Sequence, residues 1–380
     1  MVKQAFHGGA FFEAIGVDFA DLAASQHVIN ADVLDAWFDP SPRALQQIRE
    51  YLPFILRTSP PAYADGLVRA LGQLRGVPPE NLLVGGGSSD LIFSFFPSII
   101  GKKERALFLD PMYGEYQHIL EHVAGATLIR HRLLKERQFR IDLAALLADI
   151  ERTRPTLVVL VNPNSPTGQY WSQEHFYPLL ERVPEDTLVV VDETYIEYVD
   201  RHRSLERDVL RFKNLVVIKS MSKVYALSGL RVGYLAANAA IIARLAQLSP
   251  PWAVSLAGQI AAIEALNDEG YYQQKYQETH RLRAELIEQL GQIPQLHVYP
   301  SVANFVLVEL LDPRLSAQAI VERLKRRNIY IRNADSMSAH FRDKFLRITV
   351  KARTQQERIV AALRDDVAAL GRCSEPPGDS

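Results

Sequence analysis

Cysteine is almost missing from this chain. Its single thiol, Cys373, sits in the polar, proline-rich stretch "CSEPPGDS", which excludes an internal disulfide and a thiolate metal cluster and gives no reason to expect an oxidising compartment. An excess of either charge is missing too. Lys and Arg number 43 against 44 Asp and Glu, and the densest cationic run is the short "KKER" at 102 to 105, so neither nucleic acid nor an anionic membrane is an expected partner. No apolar stretch approaches the roughly 18 residues of a membrane span, and "MVKQAFHGGAFFEAIG" interrupts its apolar residues too early for a signal-peptide core. Internal repeats are absent, as is low complexity before the tail. These absences lead us to expect a cytoplasmic protein that handles a small molecule.

What is present is a regular alternation. Seven short apolar runs, each closed by Gly, Pro, Asn, Asp or a similar breaker, occur at 81–87, 105–110, 126–131, 156–163, 187–193, 215–220 and 232–237. Their continuous apolar character is that of strands buried on both faces. Helix-period segments such as "SSDLIFSFFPSII" and "DLAALLADIERT" separate several of them, which predicts an α/β domain with a mostly parallel sheet of about seven strands. From about 255 the pattern changes to long helices and then to "LHVYP", "NFVLVEL", "IYIRNA" and "FLRITV", a smaller α+β unit. We therefore expect an N-terminal arm and small-domain segment at 1–44, a large domain at 45–255, a small domain at 256–368 and a tail at 369–380. The first 40 or so residues show no clear strand and are expected over the seam between the domains.

Ligands of open parallel sheets sit beyond the carboxyl ends of strands, and the polar clusters of this sequence fall there. "VGGGSSD" (84–90) is a glycine-rich turn with Ser88 and Ser89 at a helix start, where free N–H groups suit a phosphate, although a helix N-cap accounts for the serines equally well. "VNPNSPTG" (161–168) reads as Asx-turn chemistry or as a ligand loop. "VDETYIEY" (191–198) ends an apolar run with Asp192, a carboxylate costly to bury without a cation, and places Tyr195 three residues later. "SMSK" (220–223) puts Lys223 at another strand end, where partial desolvation frees an amine to act as a nucleophile toward an aldehyde. Arg231, eight residues on, offers a planar fork for a phosphate. One ligand uses an aldehyde-reactive lysine, a phosphate cradle of Ser88, Ser89, Ser220, Ser222 and Arg231, and a carboxylate for a ring nitrogen. That ligand is pyridoxal phosphate, whose protonated ring serves as an electron sink.

The ordered set of the glycine turn, "DPMYGEY", "NPNSPTG", "DETY", "SMSK" with its arginine, and "LRITV" resembles the fold-type I pyridoxal phosphate enzymes of the class I/II aminotransferase kind. It is most similar to the branch containing histidinol-phosphate aminotransferase and threonine-phosphate decarboxylase, over about residues 5 to 365. The resemblance implies that Lys223 carries the cofactor as a Schiff base and moves a proton, and that Tyr113 stacks on its ring. It further implies that Asp192 pairs with the ring nitrogen and Tyr195 donates to the phenolic oxygen. Arg347, in "KFLRITV", is implied to grip a substrate carboxylate, with Arg332 also on the substrate side. A homodimer with the active site at its interface is the family expectation.

The sequence departs from the family at several points. Ser165 stands where an asparagine usually contacts the ring oxygen, with Asn164 one residue earlier as a second candidate. "LRTSPPAY" has Thr58 after Arg57 where relatives carry a tyrosine for the neighbouring subunit's phosphate, and Tyr63 is out of register. Trp37, in "VLDAWFDPSP", replaces a polar substrate contact, flanked by Asp35 and Asp39, which suit either a cationic substrate or a solvated surface. "FHGGAF" (6–11) and "PPWAVS" (250–255) are closer to the decarboxylase, making His7 and Gly8 candidate substrate contacts. Transamination at the α-carbon of an amino acid or amine is the leading expectation. Decarboxylation, elimination, cyclisation or oxidative deamination with the same cofactor is the alternative. A nucleotide-binding dehydrogenase, using "GGG" and Asp110, leaves Lys223, Arg231 and Arg347 unexplained, and a non-catalytic regulator would need an added DNA-binding segment.

Overall fold

The computed structural model describes residues 8–372. Twelve strands form two sheets: β1 (Ile29–Ala31), β2 (Leu82–Gly85), β3 (Arg105–Asp110), β4 (Thr127–Arg132), β5 (Leu157–Val161), β6 (Leu188–Asp192), β7 (Leu215–Ser220), β8 (Gly233–Ala237), β9 (Leu296–Val298), β10 (Phe305–Leu310), β11 (Ile329–Asn333) and β12 (Phe345–Thr349). The larger sheet has the order β2-β8-β7-β6-β5-β3-β4, and each strand coincides with one of the seven apolar runs. Strands β4, β3, β5, β6 and β7 pair in parallel; β8 runs against both β7 and β2. β5 (LVVLV) is buried throughout, as a strand covered by helices on both faces must be. The fold-type I architecture expected from the motifs is thus present.

The smaller sheet has the order β1-β11-β12-β10-β9. Its edge strand β1 comes from the N-terminal region, where the sequence shows no clear strand. Three residues, pairing in parallel with β11 from Ile29↔Ile329 to Ala31↔Ile331, are too few to carry a recognisable period. The long helix Glu269–Gly291 joins the two cores. Tyr272 and Tyr276 enter the core of the larger sheet, while Leu282, Leu286 and Leu290, also four residues apart, enter that of the smaller one.

Side-chain alternation at the ends of β6 and β7 sorts two sets of charges. Asp192 and Ser220 line a cavity at the carboxyl ends of the strands, whereas their neighbours Glu193 and Lys219 belong to a buried ionic cluster. Lys219 Nζ lies 3.1 Å from Glu197 Oε1 and 3.3 Å from Glu206 Oε1, and Arg75 Nη2 donates to Glu197 Oε1 and to the Tyr225 hydroxyl at 2.9 Å each. Two cations face three carboxylates. Burial pushes Glu193 up to about 7, with Lys219 opposing that rise. Removing Lys219 would leave buried carboxylates uncompensated, a loss of about 3–5 kcal/mol. We predict that Lys219→Met lowers the unfolding free energy obtained from urea titration by about 3–5 kcal/mol; a change within about 0.5 kcal/mol, typical of a surface substitution, would contradict the cluster's importance.

Candidate active site

A cavity of about 180 Å³ opens where the carboxyl ends of the larger sheet meet the smaller one. Six segments supply polar walls: Ser88 and Ser89; Tyr113; Ser165; Asp192, Thr194 and Tyr195; Ser220, Ser222 and Lys223 with Arg231; and Arg332 with Arg347. Gly8 and Asp32 also face it. Sequence positions scattered over more than 300 residues thus converge because five turns leave one edge of the sheet and β12 crosses opposite them.

One end of the cavity suits a phosphate. The helix Ser88–Ile99 begins here, and its N-cap is Gly87 rather than either serine, with φ +98° and no side-chain capping bond. Ser88 and Ser89 therefore do not cap the helix; the Ser89 hydroxyl donates to Glu115 Oε2 at 3.0 Å. Glycine is required at Gly233, where a Cβ would lie 2.6 Å from Ser88 N. At Gly87 a Cβ would meet Arg231 Nη2 at 2.6 Å, so the guanidinium packs directly on the turn. Arg231 is held by the Ser228 carbonyl at 2.9 Å, and Ser222 lies within 3.4 Å of the same nitrogen. Helix N–H groups, hydroxyls and a guanidinium form the donor set of an anion site.

Asp192 is buried in the cavity wall. Thr194 donates to its Oδ1 through both N (2.9 Å) and Oγ1 (2.6 Å), and the Tyr116 hydroxyl donates to Oδ2 at 2.7 Å. Burial still raises the Asp192 pKa over the effect of these neutral donors, so a protonated ring nitrogen is the kind of partner it favours. Burial likewise lowers the pKa of Lys223, pushes the Tyr195 and Tyr113 phenols up, and brings Arg347 down to about 10. The residues present therefore fit pyridoxal phosphate at each of its three recognisable groups.

At the far end, Arg347 Nη1 donates to Ser165 Oγ at 3.1 Å and Nη2 to the Asp32 carbonyl at 3.0 Å. Arg332, its partner across the β11–β12 ladder, places Nη1 3.4 Å from Asp32 Oδ1. Gly8 packs so closely that a Cβ would lie 2.7 Å from Asp32 Oδ2. His7 lies outside the described residues.

Several expected contacts fall elsewhere. Asn164 does not line this cavity: its Nδ2 donates to the Pro111 carbonyl (3.1 Å), tying its loop to the turn after β3, and to Thr167 Oγ1 (3.0 Å) within the loop. Trp37 is likewise no wall of the cavity. Its Nε1 donates to Thr279 Oγ1 at 2.8 Å and its ring packs on both cores, so an amphipathic residue is spent on joining the sheets. Tyr63 is exposed, Asp39 is exposed, and Asp110 is buried with Arg130 Nη1 3.8 Å away, away from any ribose-binding role. Sequence reasoning missed Tyr116 and Thr194, although both lie inside quoted motifs, and it read Asp35 as a surface or substrate-side charge. Asp35 instead meets Lys223. The phosphate end yields a test: Arg231→Gln should weaken cofactor binding about 10–100-fold, the value of one charged hydrogen-bond set, in equilibrium dialysis. A change below twofold would contradict the assignment.

Comparison with known proteins adds an independent line. The family model described as aminotransferase class I and II matches residues 31–364. A histidinol-phosphate aminotransferase of Halalkalibacterium halodurans is 32% identical over 333 residues, 87% of either chain. The solved structure of histidinol-phosphate aminotransferase from Sinorhizobium meliloti in complex with pyridoxal-5'-phosphate superposes with a TM-score of 0.82 at 24% identity, over 97% of this chain and 100% of that one. The L-threonine-O-3-phosphate decarboxylase of Porphyromonas gingivalis gives 0.76 at 23% identity, over 90% and 100%. Those two show the shared fold, and the match of model and curated relative across most of the sequence decides the family: the chain belongs to the class I and II aminotransferases, enzymes that work with pyridoxal phosphate.

Proposed function

We propose that the protein transfers the amino group of an amino acid or primary amine, with Lys223 as the cofactor-bearing residue and the proton carrier. The observation that carries this reading is the convergence of a buried, hydrogen-bonded Asp192 and a desolvated Lys223 on a cavity whose opposite wall holds Arg347. Pyridoxal phosphate, when bound, supplies an aldehyde for the amine and a cationic ring that draws electrons from the substrate's α-carbon.

Each residue then has a defined task. Ser88, Ser89, Ser220, Ser222 and Arg231 anchor the phosphate. Asp192 keeps the proton on the ring nitrogen, and Tyr195 donates to the phenolic oxygen. Tyr113 covers one face of the ring and keeps water from it. Arg347 takes the substrate carboxylate, which decides which bond at the α-carbon stands perpendicular to the ring, with Arg332 and Gly8 closing that end. Lys223 Nζ removes the α-proton and returns it one step later, a task that needs the neutral amine its burial favours.

A second copy of the chain fits the exposed apolar side chains Tyr51, Leu52, Phe54 and Leu56 on helix Pro42–Arg57, with Tyr63 and Trp252 beside them. The Trp252 backbone N–H donates to the Ala62 carbonyl at 2.8 Å, which holds Trp252 next to the segment that carries Tyr63. We read the protein as a homodimer of the cytoplasm, where its one thiol would stay reduced. Among the described residues no helix is long and apolar enough to cross a membrane.

The same residues can break the bond from the α-carbon to a carboxylate, and Gly8 at the cavity is the feature that favours this second reading. The two separate in one experiment. Purified yellow enzyme is mixed with single amino acids, without and then with 2-oxoglutarate or pyruvate. We expect the visible cofactor band to fade with stoichiometric oxo-acid product and to return on adding the acceptor. Continuous release of carbon dioxide with no acceptor would refute transamination in favour of decarboxylation.

A further inference from the structure

Lys223 does not stand alone at the cavity. Its Nζ lies 2.8 Å from Asp35 Oδ1, and Ser228 Oγ donates to the same oxygen at 2.6 Å. The Ser228 hydroxyl also lies 3.1 Å from the Ser222 carbonyl, tying this corner to the turn that bears the lysine. Asp35 is positioned by main chain as well. It follows β1 by four residues, and its own carbonyl accepts from Lys351 Nζ at 3.3 Å. The turn after β7 and the turn before β8 thus meet on the Asp35 carboxylate, while Lys351, beyond the end of β12, holds its main-chain carbonyl. A charge inside the apolar run "INADVLDAWF" is costly unless something cationic or hydrogen-bonding receives it, and here both do.

We propose that Asp35, oriented by Ser228, is a docking seat that holds the Lys223 amine with its proton while the cofactor site is empty. Asp35 is a positioning residue in this account, and the proposal rests on Lys223 being the cofactor-bearing lysine. An ammonium held in the seat is a proton donor; it becomes a nucleophile only after it leaves the proton behind. The seat would therefore set the pH at which Lys223 can capture the cofactor's aldehyde.

The charged groups around Nζ give the sign. Burial lowers the proton affinity of Lys223, and the guanidiniums of Arg231 and Arg347 act in the same direction. Asp35 opposes them. Lys351, itself brought down to about 8 by burial, flanks Asp35, and the Tyr195 phenol senses Asp35 from across the cavity. Loss of the Asp35 carboxylate leaves the lowering influences unopposed, so Lys223 should become neutral at lower pH.

The test needs no cofactor. Full-length protein stripped of pyridoxal phosphate is pulsed with acetic anhydride over a pH series, and modification of the Lys223 peptide is measured by mass spectrometry. Asp35→Asn should move the half-modification pH down by about one unit, the effect of one close opposite charge, with about tenfold more modification at pH values below it. Ser228→Ala should move it in the same direction by less. Asp35→Glu should stay near the wild type, as should Asp39→Asn at the neighbouring exposed position. A profile for Asp35→Asn that superimposes on the wild type, or moves upward, overturns the seat. If circular dichroism shows that Asp35→Asn does not fold, Ser228→Ala decides: a downward shift supports the proposal and an unchanged profile refutes it. Borohydride trapping of cofactor on the holoenzyme tests the assignment of Lys223 separately, so a trapped adduct on another lysine would remove that assignment while leaving the labelling result intact.

Discussion

A carboxylate buried at the end of β6 is the constraint around which this site is organised. Asp192 is surrounded by neutral donors, two from Thr194 and one from Tyr116, and these offset only part of the cost of holding a charge out of water. A cationic heterocycle, were it held against the same carboxylate, would complete the compensation. Phosphate cradle, lysine and arginine all take their meaning from the distance at which that ring must lie from Asp192.

The sheet makes such a charge sustainable by separating it from a second set. One residue along β6 and β7 the side chains turn to the other face, where Glu193 and Lys219 join Arg75, Glu197 and Glu206 in a cluster of their own. Strand ends tied together by ionic and hydrogen-bonded groups on one face present their other face with little freedom. The front of the sheet is where charge must be free to respond to ligand; the back is where it is consumed internally. Arg347 shows the same economy from the opposite side, anchored by Ser165 and the Asp32 carbonyl so that its guanidinium enters the cavity in a fixed plane.

Much of this was legible in the sequence because the larger sheet is written in continuous apolar runs and the site in short motifs directly after them. Asp192, Lys223 and Arg231 could be placed since each lies one turn from a strand whose end is marked. β1 could not, because three residues show no period and gain their place only by pairing with β11, 300 positions away. Trp37 and Asn164 were misread for a common reason: residue type and motif position tell which groups are near a site, whereas the direction of a side chain is settled by partners such as Thr279 and the Pro111 carbonyl. Asp35 is the converse case. The sequence left it between a cationic substrate and solvent, because its partner, Lys223, is 188 residues further on.

The central claim is that one coenzyme spans the cavity from the helix at Ser88 to the carboxylate of Asp192, bonded to Lys223. A crystal structure of the protein grown with pyridoxal phosphate tests it most directly. We expect density continuous with the Lys223 side chain, the phosphate on the N–H groups and hydroxyls of Ser88 and Ser89 beside Arg231, and the ring nitrogen within hydrogen-bond distance of an Asp192 oxygen. A cofactor bonded to another lysine, or a ring whose nitrogen points away from Asp192, would contradict the account.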